Sequence, residues 1–206
     1  MKTETELGLT RREFLTASVA VPAILLCNSV HGWEIVAATR ELEATPACGD
    51  KDDVTPAQTE GPFFKPRSPE RKSLLEPGIQ GTKIILEGRV RSTKCKPIEK
   101  ALVDFWQADA GGEYDNAGYR LRGHQFTDGN GLYRLETIVP GLYPGRTRHF
   151  HVRVQAPNRP ILTTQLYFPG EPDNKRDGIF NPKLVMAIRD AAGAKTGNFD
   201  FVVDLG

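Results

Sequence analysis

Short strand-like runs, each cut off by glycine, proline or an Asp/Asn turn, leave this chain little room for anything but a β-rich fold. The clearest case is Asp128-Gly129-Asn130-Gly131, a strong turn signal. It is followed by a stretch to Ile138 in which Leu132, Arg134 and Glu136 alternate with Tyr133, Leu135 and Thr137. A period of two is the repeat of a strand, whose side chains point to opposite faces in turn. Further runs lie at 82–90, 101–108, 149–154, 161–168 and 199–205. The 20 glycines and 15 prolines make up about one residue in six, against a usual share of roughly 12%, which favours many short strands over a helix bundle. One short helix is expected, with Asn181 as N-cap, Pro182 at its first position and Leu184, Val185 and Ile188 on one face. Residues from about 50 to 80, rich in proline, glycine and charge, read as an extended arm. The expected fold is an all-β antiparallel sandwich with long loops and little helix.

Charge excludes some functions. The 27 basic and 26 acidic side chains leave a formal net charge of +1, so bulk charge does not drive nucleic-acid binding, and no acidic tail is present. No apolar run approaches the roughly 20 residues needed to span a bilayer. Cys27, Cys48 and Cys95 are too few for a disulfide scaffold and lack zinc-ribbon spacing.

The first 47 residues read as an export signal and linker, and 48–206 as one catalytic domain. Thr10-Arg11-Arg12-Glu13-Phe14-Leu15, followed by a short apolar stretch to Cys27, has the pattern of a twin-arginine signal. The bland alternative is an amphipathic first helix. Twin-arginine export carries folded proteins, which suits a protein that acquires a metal in the cytoplasm. The expected partner is the twin-arginine translocation machinery, and the expected location periplasmic or extracellular. Small residues at Val36-Ala37-Ala38 or Ala44–Ala47 offer cleavage points, and Leu26 makes Cys27 a poor lipoprotein site. An exported chain can pair Cys48 with Cys95, a geometry that sequence leaves open.

Chemistry concentrates late in the chain. His149, His151 and Arg153 share one strand face, and Phe150, Val152 and Val154 the other. Two imidazoles two residues apart on a strand can ligate one metal; the competing reading is a solvated polar face. Tyr143 sits six residues before His149, in Pro140-Gly141-Leu142-Tyr143-Pro144-Gly145-Arg146, with Gly141 and Gly145 giving its loop room to move. Tyr114 follows Gly111-Gly112-Glu113; taken alone it reads as an edge aromatic on a loop. Two phenols with two imidazoles suit a hard trivalent ion better than zinc, because phenolate is a charged oxygen donor. Trp106 reads as a core residue alternating with Gln107, and His124 as packed or hydrogen-bonded near the Asp128 turn.

The segments Thr59-Glu60-Gly61-Pro62-Phe63-Phe64, Asp104 to Tyr114, Leu121 to Asp128, Pro140 to Pro144, Arg146 to His151 and Thr164 to Gly170 occur in one order. Together they resemble the intradiol ring-cleavage dioxygenases, the protocatechuate 3,4-dioxygenase and catechol 1,2-dioxygenase core, over roughly 55–205. The resemblance implies one Fe(III) per chain held by Tyr114, Tyr143, His149 and His151, with Tyr143 as the ligand that leaves. It also implies catalytic roles for Tyr143, Arg146 and Gln165. The implied substrates are a catechol and O2, and the implied product a cis,cis-muconate-type dicarboxylate. The short Tyr143–His149 loop, and the lack of a counterpart to the helical dimerisation segment of catechol 1,2-dioxygenases, leave substrate and oligomeric state open. Arg120, Arg122 and Arg153 are all candidates to meet a substrate carboxylate. Two rival readings are a non-catalytic prealbumin-like binding module and a zinc hydrolase built on His124, His149 and His151.

Overall fold

The structure, a computed structural model, describes residues 54–191 and 193–206. The twin-arginine motif, the cleavage points, Cys27, His31 and Cys48 lie outside the described residues. Nine strands are described: β1 (Lys83–Ser92), β2 (Leu102–Trp106), β3 (Arg122–Phe126), β4 (Leu132–Ile138), β5 (His149–Gln155), β6 (Leu162–Tyr167), β7 (Ala187–Ala191), β8 (Ala194–Asn198) and β9 (Phe201–Val203). One sheet runs β4-β1-β8-β7, with β9 also paired to β1; the other runs β3-β2-β5-β6. The second sheet is antiparallel throughout. The first is mixed, because β8 and β9 both lie parallel to β1. Among the described residues no helix is long and apolar enough to cross a membrane.

Alternation builds the core. Ile84, Leu86 and Val90 of β1 are fully buried, while Lys83, Glu87 and Arg89, which precede or separate them, are exposed. They meet Val103 and Phe105 of β2 and Phe150, Val152 and Val154 of β5 in one apolar layer between the sheets. The extended arm from Thr55 crosses the second sheet. Gln58 N–H donates to Thr163 O at 2.8 Å, and Thr164 Oγ1 to Pro56 O at 2.7 Å. Leu74, further along, is completely buried in the core.

The helix expected at 181–188 does not form. Asn181 does cap, its side chain accepting from Lys183 N–H, but only the 3-10 turn Pro182–Leu184 follows. Val185 is then extended and bridges Tyr167, Met186 N–H donates to Tyr167 O at 3.0 Å, and Ile188 lies in β7. Strand pairing to β6 outcompetes a helix of so few turns.

Candidate metal centre

Cross-strand register gathers the site on the outer face of the four-stranded sheet. His149 lies opposite Tyr167; His151 lies opposite Gln165 on one side and Trp106 on the other; Trp106 in turn faces Arg122. Side chains opposite one another in a ladder share a face. The inner face of β5 carries Phe150, Val152 and Val154, so the expected division of that strand holds. The outer face is nevertheless not solvated. The arm and the loops after β2, β4 and β6 cover it, leaving His149 4% and His151 2% exposed.

Three of the four expected ligands meet directly. His149 Nε2 is 3.1 Å from His151 Nε2 and 3.4 Å from Tyr114 Oη. His149 Nδ1 lies 2.6 Å from Thr147 O. A carbonyl only accepts, so this nitrogen carries the proton and Nε2 presents its lone pair to the cluster. Tyr143 joins through its ring, edge-on to Tyr114 at 5.9 Å between centroids and to Phe63 at 5.3 Å. Phe63 stacks on Tyr114 at 4.4 Å.

Burial dominates the ionisation of the donors. It pulls His149 down to about 4 and His151 well below the usual histidine range, with the Arg146 charge adding to both. It raises the Tyr114 phenol, against the opposing charges of Arg146 and then Arg122. Neutral imidazoles beside a phenol are the state from which a cation is bound, and a bound cation favours the phenolate. Among the described residues no group of three or more His, Cys, Asp and Glu side chains could hold a metal. The side chains that do meet here are a phenol and two imidazoles, a chemistry that would suit a hard trivalent ion.

Arg146 and Gln165 are brought to the cluster. Arg146 Nε donates to Asp177 Oδ2 at 2.8 Å, and Nη2 to Gln165 Oε1 at 2.6 Å. Gln165, with no exposure, donates from Nε2 to Thr59 O at 2.9 Å. Asp177 also accepts from Thr147 N–H and Ile179 N–H. It ties the loop before His149 to the Arg146 guanidinium. Sequence reading did not single out Asp177, which lies 31 residues from Arg146 with no motif around it.

The family profile described as Dioxygenase matches residues 59–204. The chain belongs to the intradiol dioxygenases. Hydroxyquinol 1,2-dioxygenase of Nocardioides simplex is 31% identical over 70% of this chain and 58% of its own length. Catechol 1,2-dioxygenase of Pseudomonas sp. (strain EST1001) is 28% identical over 71% and 57%. The chain thus spans less than two thirds of these curated relatives. Among solved structures, the dioxygenase domain of a dioxygenase carbohydrate-binding protein fusion from Streptomyces sp. SirexAA-E is 56% identical. Its TM-score is 0.73, with 74% of this chain and 99% of that one covered. The 3-chlorocatechol 1,2-dioxygenase of Rhodococcus opacus 1CP is 27% identical with a TM-score of 0.67, covering 73% and 72%.

In this intradiol dioxygenase one further reading holds and others are corrected. Trp106 is a core residue as expected, 2% exposed, in the second core cluster with Ala108 and Tyr114, against which Phe63, Phe64 and Tyr143 pack. It stacks on His151 at 5.0 Å between centroids and 6° between planes. His124 is hydrogen-bonded, but to Ser68 Oγ at 3.1 Å rather than at the Asp128 turn. Ser68 in turn donates to Asp104 at 2.8 Å. Strand β2 separates His124 from β5, so a three-histidine zinc site does not form. Gly141 gives Tyr143 no freedom, because it is wedged against the loop of Tyr114; only Gly145 has open space around it. Arg122 is spent on Phe63 O and Asp115 O, and Arg153 on Glu60 and the face of Phe64. Arg120 is exposed at a cavity of about 380 Å³ beside Tyr114.

Proposed function

We propose that this dioxygenase uses one ferric ion, held by Tyr114, Tyr143, His149 and His151, to cleave a catecholic ring between its hydroxylated carbons. Both atoms of O2 enter the product, the bond between those carbons breaks, and a cis,cis-muconate-type dicarboxylate results. The observation that carries the reading is the buried meeting of Tyr114 Oη, His149 Nε2 and His151 Nε2, with His149 Nδ1 already committed to Thr147 O. A prealbumin-like binding module has no need to bury such a set.

When bound, a ferric ion would supply Lewis acidity that favours ionisation of the diol. The protein's own residues do the rest. Tyr143, on the half-buried loop, would as its phenolate take one phenolic proton at Oη. Arg146 sets a fixed positive charge against the negative charge that develops on the ring, and Gln165 and Asp177 hold its fork in place. Phe63, Phe64 and Trp106 keep water from the cluster. Arg122 and Arg153 are engaged by the protein's own acceptors, so a substrate carboxylate, where the ring carries one, would be met by Arg120, exposed at the cavity beside Tyr114. We also propose export by the twin-arginine route, on the Arg11-Arg12 pattern.

The test is product analysis with labelled O2 across catechol, hydroxyquinol and protocatechuate. The expected product carries two labelled oxygens, from an iron-containing protein coloured by tyrosinate charge transfer. A semialdehyde product, or colourless protein holding only zinc, would overturn the reading. Replacing Arg11-Arg12 with a lysine pair, and following the mature protein by cell fractionation, tests export.

A further inference from the structure

The two histidines of the cluster are held in different ways. His149 is oriented by a hydrogen bond, Nδ1–H to Thr147 O at 2.6 Å. Thr147 is itself fixed, its N–H to Asp177 at 3.0 Å and its hydroxyl to Asn174 at 2.7 Å. His151 has no such orienter. Its Nδ1 is buried and has no hydrogen-bond partner in the protein. Metal-ligating histidines almost always donate from the second ring nitrogen, which sets both ring angle and tautomer. Something else must hold this ring.

Two neighbours press on the ring instead. The Trp106 indole lies nearly parallel to it, 5.0 Å between centroids and 6° between planes. From the arm, Gly61 comes so close that a Cβ there would sit 3.1 Å from His151 Cε1, and Gly61 has a φ of +69°. The indole is itself braced. Phe64 meets it edge-on at 5.1 Å, and the Arg153 guanidinium lies 3.5 Å from the Phe64 centroid. Gly61 is braced as well, by Thr59 O accepting from Gln165 and by Glu60 pairing with Arg153.

We propose that Trp106 and Gly61 are positioning residues that hold His151 by stacking and close contact, in place of a hydrogen bond at Nδ1. The inference rests on the ferric-site reading above and deepens it. It makes the arm part of the metal site, because arm backbone at Gly61 approaches the Cε1–Nε2 side of His151. It also divides control of the two imidazoles, His149 answering to the Thr147–Asp177 loop and His151 to the aromatic stack.

The test compares metal-free wild type, Trp106→Phe, Trp106→Leu and Gly61→Ala. Ferric iron is titrated into each against a competing chelator, and the imidazole nitrogen resonances are recorded without metal. Trp106→Leu is expected to weaken iron binding about 10- to 100-fold, and Gly61→Ala about tenfold. Trp106→Phe, which keeps a ring face, stays within about threefold of wild type. In the metal-free spectra the His151 resonances shift and broaden while those of His149 stay in place. Iron binding as tight as wild type in folded Trp106→Leu would overturn the proposal, as would His149 and His151 responding equally. If Trp106→Leu does not fold, Gly61→Ala decides on the same two readouts. If wild type itself binds no iron with tyrosinate absorption, the ferric reading fails, and the selective response of His151 in the metal-free protein still decides the stacking inference.

Discussion

Gly141 packs directly against the backbone of Gly112: a Cβ on Gly141 would fall 2.4 Å from the Gly112 nitrogen and 2.6 Å from Ala110 O. The reverse contact is as close, since a Cβ on Gly112, at a φ of +90°, would lie 2.2 Å from Leu142 O. Gly141 N–H donates to Asp109 O at 2.7 Å across the same seam. The loops that deliver Tyr114 and Tyr143 are therefore set against each other at their backbones, where no side chain fits.

Gly141→Ala should force those loops apart. The expected cost is about 1–3 kcal/mol of stability, typical of overpacking, read by urea unfolding. Tyrosinate absorption should fall with it, because one loop cannot shift without altering the distance between the two phenols. Retention of both properties would mean that the seam yields elsewhere.

The tyrosines should not be equivalent. Tyr114 is buried, stacked on Phe63 and within 3.4 Å of His149, whereas Tyr143 is half-buried on a loop whose Gly145 is unobstructed. Tyr143→Phe is expected to keep coloured iron through Tyr114 but to slow anaerobic catechol binding severely, with partial recovery at higher pH. Tyr114→Phe should mainly weaken the iron site. Stopped-flow binding and iron content separate the two outcomes, and catechol binding at the wild-type rate in Tyr143→Phe would move the base role to another residue.

Arg146 is held by both Asp177 and Gln165, so its fork should matter as well as its charge. Arg146→Lys keeps the charge and loses the two-armed geometry. Turnover should drop about 100-fold, with a much smaller change in KM. Asp177→Asn should reproduce part of the loss by releasing the guanidinium. Unchanged turnover in both variants would make Arg146 a bystander.

Two buried aspartates should give opposite pH slopes. Burial raises Asp177, but the Ile179 amide, the Arg146 side chain and the Thr147 amide outweigh it and hold the carboxyl below its ordinary value. Its contribution to stability is present above about pH 4 and lost as pH falls through the depressed value. Burial also raises Asp104, and there Ser68, His124, Arg153 and Arg122 oppose it without cancelling it. Asp104 contributes most below about pH 4 and loses that contribution as pH rises through its raised value. Melting temperatures of metal-free Asp177→Asn and Asp104→Asn, each compared with wild type from acid to neutral pH, should therefore diverge in opposite directions. Parallel curves would contradict the assignment.

What could be read in advance follows from period and order. The alternation at 149–154 places both imidazoles on one face from sequence alone, and the motif order supplies Tyr114, Tyr143, Arg146 and Gln165 through the resemblance. Contacts that depend on cross-strand register were out of reach. Trp106 lies opposite His151 only because β2 pairs with β5 in that register, so its burial was legible and its stacking on an imidazole was not. Strand β3 was missed because Arg122, Gly123, His124 and Gln125 look polar, yet all but His124 are buried beneath the arm or against the core. The Asn181–Pro182 signal was real, but its length was decided by β6, a partner that a local pattern does not contain.

Thr55, at the start of the described arm, is fastened to β9: its N–H donates to Val202 O at 2.9 Å, and Val202 N–H donates to its hydroxyl at 2.8 Å across 147 residues. A nascent chain therefore cannot anchor the beginning of the arm until Val202 has emerged from the ribosome. Loops of that length close late and slowly. The arm around Gly61 has earlier partners in Gln165 and Arg153, so it can dock on the four-stranded sheet first, and the Thr55–Val202 clasp joins the two ends of the sandwich afterwards.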